Sequence, residues 1–446
     1  MTATEIQAPA ALAHYLADFE IYNRERLDEP AFARALRRAG LERFAALGFP
    51  TTRQEDWRLT SVASIAQGTF HRSQGDPNAV APEQIAPYDF PAAARLVFVD
   101  GRFSSRLSSS TGLPSGTVAT SLAAALASTP GLVEPWLGQL ASFEQQPFVA
   151  LNTAFLGDGA FIHVPRGAAS GLIHVLFLSS SEDGRATVSY PRNLFVAGEN
   201  SQLTVVETYA GTGAYFNCPV TELVAGPNSV VDHYKVQRES REAFHVATFQ
   251  VQGERDSVPR SHSISLGGGL VRNDVNAVLA GEGIDCILNG LYLVDGRQHV
   301  DNHMRVEHAK PHCSSHELYK GVLDGKGRAV FNGLIHVHPG AQKTDAKQSN
   351  RNLLVSREAV ANSNPQLEIY ADDVKCTHGS TVGQLDEDAV FYLRSRGIGE
   401  EAARSLLTWA FASDIVERIQ VEPVRKDLEE FLFARLPKGE VVRQAV

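Results

Sequence analysis

Cysteine is scarce in this sequence, and its absence from local pairs excludes several kinds of metal site. Only 4 of the 446 residues are cysteine. Cys218, Cys286, Cys313 and Cys376 lie too far apart to form a C-x-x-C pair. Zinc ribbons and ferredoxin-type cluster cages need such pairs, so neither is encoded locally. The low cysteine content also argues against a disulfide framework and is typical of a reducing compartment.

Basic charge and long apolar runs are lacking too. The chain has 41 Lys and Arg against 51 Asp and Glu, for a formal net charge of −10. Without a basic excess or a basic patch, we expect no binding to nucleic acid or to anionic membranes. No apolar run approaches the roughly 18 residues of a spanning helix. The opening MTATEIQAPAALAHYLADFE lacks the regions of a signal peptide. These features predict a cytoplasmic protein.

Hydrophobic periodicity divides the chain into three segments. Apolar residues first recur at helical spacing, and the pattern then becomes mixed. From about residue 148, short alternating runs such as QLTVVETY and VVDHYKV take over, each bounded by turn residues. After Gly383 the helical pattern returns, with Asp386 as a predicted N-cap. We therefore predict an N-terminal helical or mixed domain at 1–147, a β core at 148–383, and a C-terminal helical domain at 384–446.

The turns of the β segment recur at a nearly constant interval. They begin at Gly198, Gly226, Gly253 and Gly281, which are 28, 27 and 28 residues apart. A turn-then-strand repeat of this length predicts a β solenoid, in which each coil buries its inner face against its neighbours. A β sandwich remains the alternative, although its turns usually come every 8–12 residues. The solenoid places Leu203 and similarly positioned apolar side chains inside.

Histidines are concentrated in the later coils. His336 and His338 would share one face of a strand, which is a spacing that metal sites use. The alternative is that these imidazoles lie on the solvent face and bond backbone groups, and we favour it because spacing fixes no third ligand. Seven of the 15 histidines lie in this region, together with Cys313: His299, His303, His308, His312, His316, His336 and His338.

Asp372 and Asp373 are a second candidate pair, for acid–base chemistry or calcium binding of the kind found in β-helical polysaccharide lyases. Adjacent residues of an extended strand point to opposite faces and would not converge on one ion. We therefore predict a solvated turn at this pair.

Cys376 and His378 form a third candidate, in the segment DVKCTHGSTVGQLD. Both residue types bind iron or sulfur, and two residues of spacing on an extended strand puts them on the same side. A structural cysteine beside a hydrogen-bonded histidine would have the same pattern, so spacing alone leaves both interpretations open.

Longer motifs around this pair are similar to a known family. LEIYADDVKCTHGSTVGQLDEDAVFYLRSRGI resembles the signature of the SufB/SufD family of iron–sulfur cluster assembly proteins. GLIHVHPGAQKTDAKQSNRNLLVS and NLFVAGENSQLTVVETYAG resemble earlier stretches of that family, and PTTRQEDWRLTSV around Trp57 is similar to its SufD branch. The resemblance covers about 150–435. It implies a right-handed parallel β-helix between helical domains.

The same resemblance implies a non-catalytic scaffold subunit of a SufB–SufC–SufD complex. In that family, the residue matching His378 is implicated in building a nascent iron–sulfur cluster at the SufB interface, which makes His378 an expected iron ligand. The matching Cys376 is an auxiliary ligand candidate. Reduced flavin is associated with the family's complex, although this chain shows no flavin motif.

The resemblance also implies that the C-terminal helices bind the ATPase SufC and that the end of the β-helix binds SufB. Two amphipathic stripes within 399–436 make Trp409 and Phe411 candidate interface residues, although packing of the stripes on each other is the alternative. Whether the isolated chain forms a homodimer stays open. The rival functions are a β-helix polysaccharide-active enzyme and a metal-dependent enzyme that uses His336 and His338.

Overall fold

The computed structural model describes residues 4–26 and 28–445, with side chains from residue 14 onward. Two 3-10 turns lie at Glu55–Trp57 and Ala86–Tyr88. The α-helices of these ranges are α1 Thr4–Arg24, α2 Ala31–Leu47, α3 Ala63–Gln67, α4 Pro82–Ile85, α5 Leu122–Ser128, α6 Pro130–Val133, α7 Pro147–Ala154, α8 Glu387–Ser395, α9 Glu400–Val416, α10 Glu422–Arg435 and α11 Gly439–Ala445.

Between α7 and α8, the described chain is almost entirely β structure. Most of its strands are nine to eleven residues long, which gives each coil a continuous inner face. Three short strands precede α7, namely β1 Ala94–Val99, β2 Arg102–Phe103 and β3 Val118–Ser121. The strands between α7 and α8 are β4 Ala160–Val164, β5 Ala169–Ser180, β6 Thr187–Ser189, β7 Arg192–Ala197, β8 Gln202–Thr212, β9 Tyr215–Asn217, β10 Val220–Ala225, β11 Val230–Arg238, β12 Phe244–Gly253, β13 Val258–Ser265, β14 Leu270–Leu279, β15 Asp285–Val294, β16 His299–His308, β17 Ser314–Leu323, β18 Arg328–Val337, β19 Asp345–Leu354, β20 Val360–Ile369 and β21 Lys375–Gly383.

These strands build a parallel β solenoid, as the turn spacing predicts. Successive long strands alternate between two sheets, with the order β5-β8-β11-β13-β15-β17-β19-β21 in one and β20-β18-β16-β14-β12-β10-β7-β4 in the other. Val230 pairs with Gln202 one coil earlier and with Val258 one coil later. Each of these partners is 28 residues away, which matches the interval between the turns. The sandwich alternative is wrong, because neighbouring strands within these sheets run parallel rather than antiparallel.

The N-terminal segment extends both sheets at the end opposite to β20 and β21. β1 pairs parallel with β5, and β3 pairs antiparallel with β4. Helices α1 and α2 pack against α7 and the strands β6, β9 and β12 through a cluster of buried side chains that includes Tyr15, Phe19 and Phe44. Burial of a large apolar side chain stabilises by roughly 1.5–3 kcal/mol, so this cluster attaches the first helices firmly to the solenoid.

The interior of the solenoid is mostly apolar, and its middle coils also hold buried polar side chains. Leu203 and Val205 are buried in the main core cluster, as predicted. Farther along the same strand, the Glu207 carboxylate accepts hydrogen bonds from the Tyr209 hydroxyl at 2.6 Å and pairs with His233 Nε2 at 2.9 Å. Burial by itself raises the pKa of Glu207, but these partners outweigh it and hold the pKa below its usual value.

Glu317 is a second buried interior carboxyl, and no Lys, Arg or His side chain among the described residues pairs with it. Its Oε2 accepts a hydrogen bond from Gln348 Nε2 at 2.8 Å. Burial raises the pKa of Glu317 to about 7. Because the folded-state pKa is higher than that of the unfolded chain, the folded protein keeps a proton that the unfolded chain loses. The free energy of unfolding therefore falls as the pH rises from the pKa of Glu317 in the unfolded chain through its pKa in the folded protein.

We expect Glu317→Gln to stabilise the fold at about pH 8.5 by on the order of 3 kcal/mol relative to its effect at about pH 5, since the amide removes a buried charge. Chemical denaturation at the two pH values measures this difference. Glu207→Gln is the matched control, and it should destabilise at about pH 8.5 because it removes a paired carboxylate. A Glu317→Gln variant whose relative stability does not depend on pH would contradict the assignment.

The C-terminal helices cover the outer face of one sheet. Outward apolar residues of β8, β11, β13 and β15, including Val206, Tyr234 and Ile264, form one cluster with Ile415 of α9 and Leu428 of α10. The side chain of Asp386 caps α8 by accepting a hydrogen bond from the backbone of Asp388, as predicted. Both faces of this sheet are therefore buried in the middle coils.

Candidate functional site

The last coil of the solenoid leaves two strand edges that no strand of the described residues pairs with. β20 pairs with β18 on one side, β21 pairs with β19 on one side, and each ends its sheet. Most side chains of β21 are exposed. An edge strand presents free backbone donors and acceptors that can pair with another chain. This end of the solenoid is therefore a structural template for association.

Cys376 and His378 lie on β21, two residues apart and on the same face. Cys376 pairs in register with Ala346, and His378 pairs with Gln348. Both of those partners are buried and point into the solenoid. The two candidate ligands therefore continue the inward-facing rows and form their last members at the open end.

The environments of the two side chains differ. Cys376 is half-buried and packs against the apolar cluster of Ile335, Val337 and Ala346, while His378 is exposed. Burial raises the pKa of the Cys376 thiol, and a hydrogen bond from the backbone of Ala346 opposes the increase. The thiol is therefore protonated at neutral pH, and binding a metal would require loss of that proton.

The other three cysteines lie in the protein interior. Cys218, Cys286 and Cys313 are buried, and burial raises the pKa of each thiol. Across residues 4–26 and 28–445, no group of three or more His, Cys, Asp or Glu side chains is arranged to hold a metal ion. Cys376 and His378 thus form a pair of potential ligands rather than a complete set.

We expect Cys376 to be the only cysteine of the four that reacts quickly with a thiol reagent in the native isolated chain, because the others are almost inaccessible to solvent. Quantifying labelled thiols over time tests this. Cys376→Ser should remove the fast phase, and the matched variant Cys313→Ser should leave it intact. Fast labelling that survives Cys376→Ser would show that another thiol is exposed in solution.

The histidine pair at the end of β18, His336 within the strand and His338 just after it, makes contacts that differ from the sequence-based prediction. His336 and His338 lie on the outer face, as expected. Their predicted backbone partners are wrong, however, because each imidazole lies beside a carboxylate. His336 Nδ1 is 2.8 Å from Glu368, and His338 Nε2 is 3.5 Å from Glu307. These contacts run between neighbouring strands, which is why spacing within one strand could not reveal them.

The remaining candidates from the sequence are structural. Asp372 and Asp373 lie in an exposed bend between the last two strands, as predicted, and Asp373 pairs with Lys343. The motif around Trp57 attaches the N-terminal segment to the solenoid. The guanidinium of Arg272 lies 4.3 Å above the Trp57 ring and pairs with Asp301, and no ligand is needed to explain this contact.

The C-terminal aromatic residues divide into two groups. Trp409 and Phe411 are half-buried against their own chain: the Trp409 ring stacks 5.9 Å from Phe433, and Lys320 Nζ lies 4.6 Å from the Phe411 ring. On α8, Phe391 is 70% exposed and Tyr392 is 57% exposed. Sequence reasoning missed these two residues. The adjacent aromatic pair in DAVFYLRSR was the available signal, since a single helix face cannot bury both.

The fold and the candidate site define a class of protein: a parallel β solenoid between helical segments, with an inward-facing Cys and His at its open end. Residues 177–411 match the family model described as SUF system FeS cluster assembly, SufBD core domain. Residues 14–171 match the model described as SufBD protein N-terminal region. Together these two matches cover most of the chain.

Individual relatives agree with these matches. An iron–sulfur cluster assembly SufBD family protein of Synechocystis is 32% identical over 410 residues, which is 90% of each chain. The iron–sulfur cluster assembly protein SufD of Escherichia coli is 32% identical over 411 residues, covering 90% of this chain and 92% of its own. SufD of Bacillus subtilis is 27% identical over 435 residues, covering 93% and 95%. This chain belongs to the SufBD family of iron–sulfur cluster assembly proteins.

Membership confirms the resemblance inferred from the motifs around Cys376. Within the described residues, no helix combines the length and the apolar character needed to cross a membrane.

Proposed function

We propose that this chain is a non-catalytic scaffold subunit that helps to build a nascent iron–sulfur cluster in a complex with a SufB-type subunit and a SufC-type ATPase. The observation that carries the proposal is the position of Cys376 and His378, on the inner face of a strand whose outer edge is unpaired. Ligands at such an edge can be shared with a second chain, which supplies the rest of the coordination.

In this proposal the SufB-type subunit docks at the open end, where β20 and β21 offer free backbone groups. His378 is the principal ligand, because it is exposed and a neutral imidazole nitrogen binds iron directly. Cys376 is an auxiliary ligand, since its thiol is half-buried and must lose a proton first. The iron and sulfur are cargo that is assembled and passed on, and the cytoplasm is the compartment we propose.

Self-association and flavin also bear on the assembled state of this chain. The same open end would also let two copies of the chain associate when the partner is absent, so a homodimer in isolation is consistent with the exposed edges. Reduced flavin would belong to the assembled complex, and we assign no residue of this chain to it.

His378→Ala should lower the iron and acid-labile sulfide of the purified complex several-fold, because it removes the proposed ligand. Co-expression of all subunits followed by iron and sulfide analysis measures this. Thr377→Ala is the matched control, since Thr377 is exposed on the outward face of the same strand. Cys376→Ser should have a smaller effect than His378→Ala. Normal cluster content in an intact His378→Ala complex would exclude the proposed role.

We also propose that the ATPase binds the C-terminal helices. Trp409 and Phe411 remain candidate interface residues, and the exposed Phe391 and Tyr392 of α8 are additional ones. Phe391 and Tyr392 are mostly exposed, whereas Trp409 and Phe411 also contribute to the packing of α9. A partner that covers α8 would bury more of the Phe391 and Tyr392 side chains than a partner on α9 would bury of the half-buried Trp409 and Phe411.

Phe391→Ala should weaken ATPase binding about tenfold with little change in melting temperature, since burying a large side chain is worth roughly 1.5–3 kcal/mol. Trp409→Ala and Phe411→Ala should lower the melting temperature, because each removes contacts within the chain. Calorimetric titration with the ATPase and thermal unfolding separate the two effects. Unchanged affinity in all three variants would place the interface elsewhere.

A further inference from the structure

Two buried polar side chains, Gln348 and Glu317, lie next to His378 in the solenoid interior, one coil and two coils away from it. The strand register places Gln348 beside His378 and Glu317 beside Gln348. All three residues face the interior, so they form one row along the inner wall that ends at the open coil. Glu317 and Gln348 are each only 2% exposed.

The amide of Gln348 is held from two sides. Its Nε2 donates a hydrogen bond to Glu317 Oε2 at 2.8 Å. The amide also lies against Gly333 of the opposite sheet, where a Cβ would come within 2.5 Å of both Nε2 and Oε1 of Gln348. The absence of a side chain at Gly333 therefore makes the room that this amide occupies, and Glu317 determines which end of the amide is the donor.

The other end of the amide has no partner. Gln348 Oε1 is buried and accepts no hydrogen bond from any residue that the structure describes. Buried acceptors are normally satisfied, so an unpaired one calls for a donor. The next side chain along the row is the imidazole of His378, which carries an N–H in its neutral form.

We propose that Gln348, oriented by Glu317, is a positioning residue for His378: its Oε1 accepts a hydrogen bond from one imidazole nitrogen and leaves the lone pair of the other nitrogen for iron. Such a hydrogen bond selects one tautomer and fixes the ring, as the outer partners of metal-binding histidines do. Glu317 can accept from Gln348 whether or not its own carboxyl is ionised. The inference rests on the proposed role of His378.

The test uses the assembled complex with ¹⁵N-labelled histidine in this chain alone. Magic-angle-spinning NMR of the cluster-free complex reports the tautomer of each imidazole. The signal that is missing from the spectrum of the His378→Gln complex is assigned to His378. We expect a single tautomer in the unsubstituted complex and a mixture in Gln348→Met, which removes both polar groups at similar volume. Lys347→Met is the matched control on the outward face of the same strand and should not change the signal.

Cluster content of the same variants gives the functional comparison. Gln348→Met should lower bound iron and sulfide several-fold, in line with the usual loss when an outer partner of a metal ligand is removed, and Lys347→Met should not. If Gln348→Met prevents assembly, Gly333→Ala provides the test, because its methyl group displaces the amide while keeping both polar groups.

The outcomes separate this inference from the function on which it rests. An unchanged His378 tautomer in Gln348→Met, or in Gly333→Ala where that variant is used, overturns the positioning role. So does normal cluster content in the variant while His378→Ala loses its cluster. Normal cluster content in His378→Ala instead refutes the proposed ligand itself, and with it the purpose of the hydrogen bond.

Discussion

The backbone hydrogen bonds between successive parallel coils are the interaction on which the rest of this structure depends. Each long strand is satisfied by the strand one coil before and the strand one coil after. The last strands have no following coil to accept or donate these hydrogen bonds. Among the described residues, β20 and β21 therefore end their sheets with a free edge. At the other end, β1 and β3 from the N-terminal segment extend the sheets. The fold thus leaves an open end at the strand that carries the candidate ligands.

The same register turns the interior into rows of stacked side chains, so the energy of a buried polar group depends on its neighbours one coil away. Glu207 has His233 on the next coil, and the pair lowers the pKa of the carboxyl in spite of its burial. Glu317 has the neutral amide of Gln348, and burial raises its pKa. Pairing offsets the cost of burial in the first case only. The second row continues to His378, where the interior meets solvent.

The C-terminal helices connect this end to a separate surface. α9 and α10 are fixed to the outer face of the middle coils by a shared apolar cluster. α8 lies between them and the last strand, since β21 ends at Gly383 and α8 begins at Glu387. A protein that binds the exposed Phe391 would therefore act on an element joined by a short segment to the strand of His378.

The sequence by itself favoured the solenoid over a sandwich, because the turns and the alternating strands repeat together at intervals of 28, 27 and 28 residues. It also determined that Cys376 and His378 share a face, since alternation along a strand is a local property. Only the tertiary structure decided which side chains meet across coils and which faces are covered. The contact between Glu317 and Gln348 depends on the length of the whole coil between their strands, which includes β18 and the turns on either side of it. The contact of Trp409 with its own chain depends on where α10 packs. Neither follows from spacing within one element, because the energy that selects these contacts comes from residues far away in the chain.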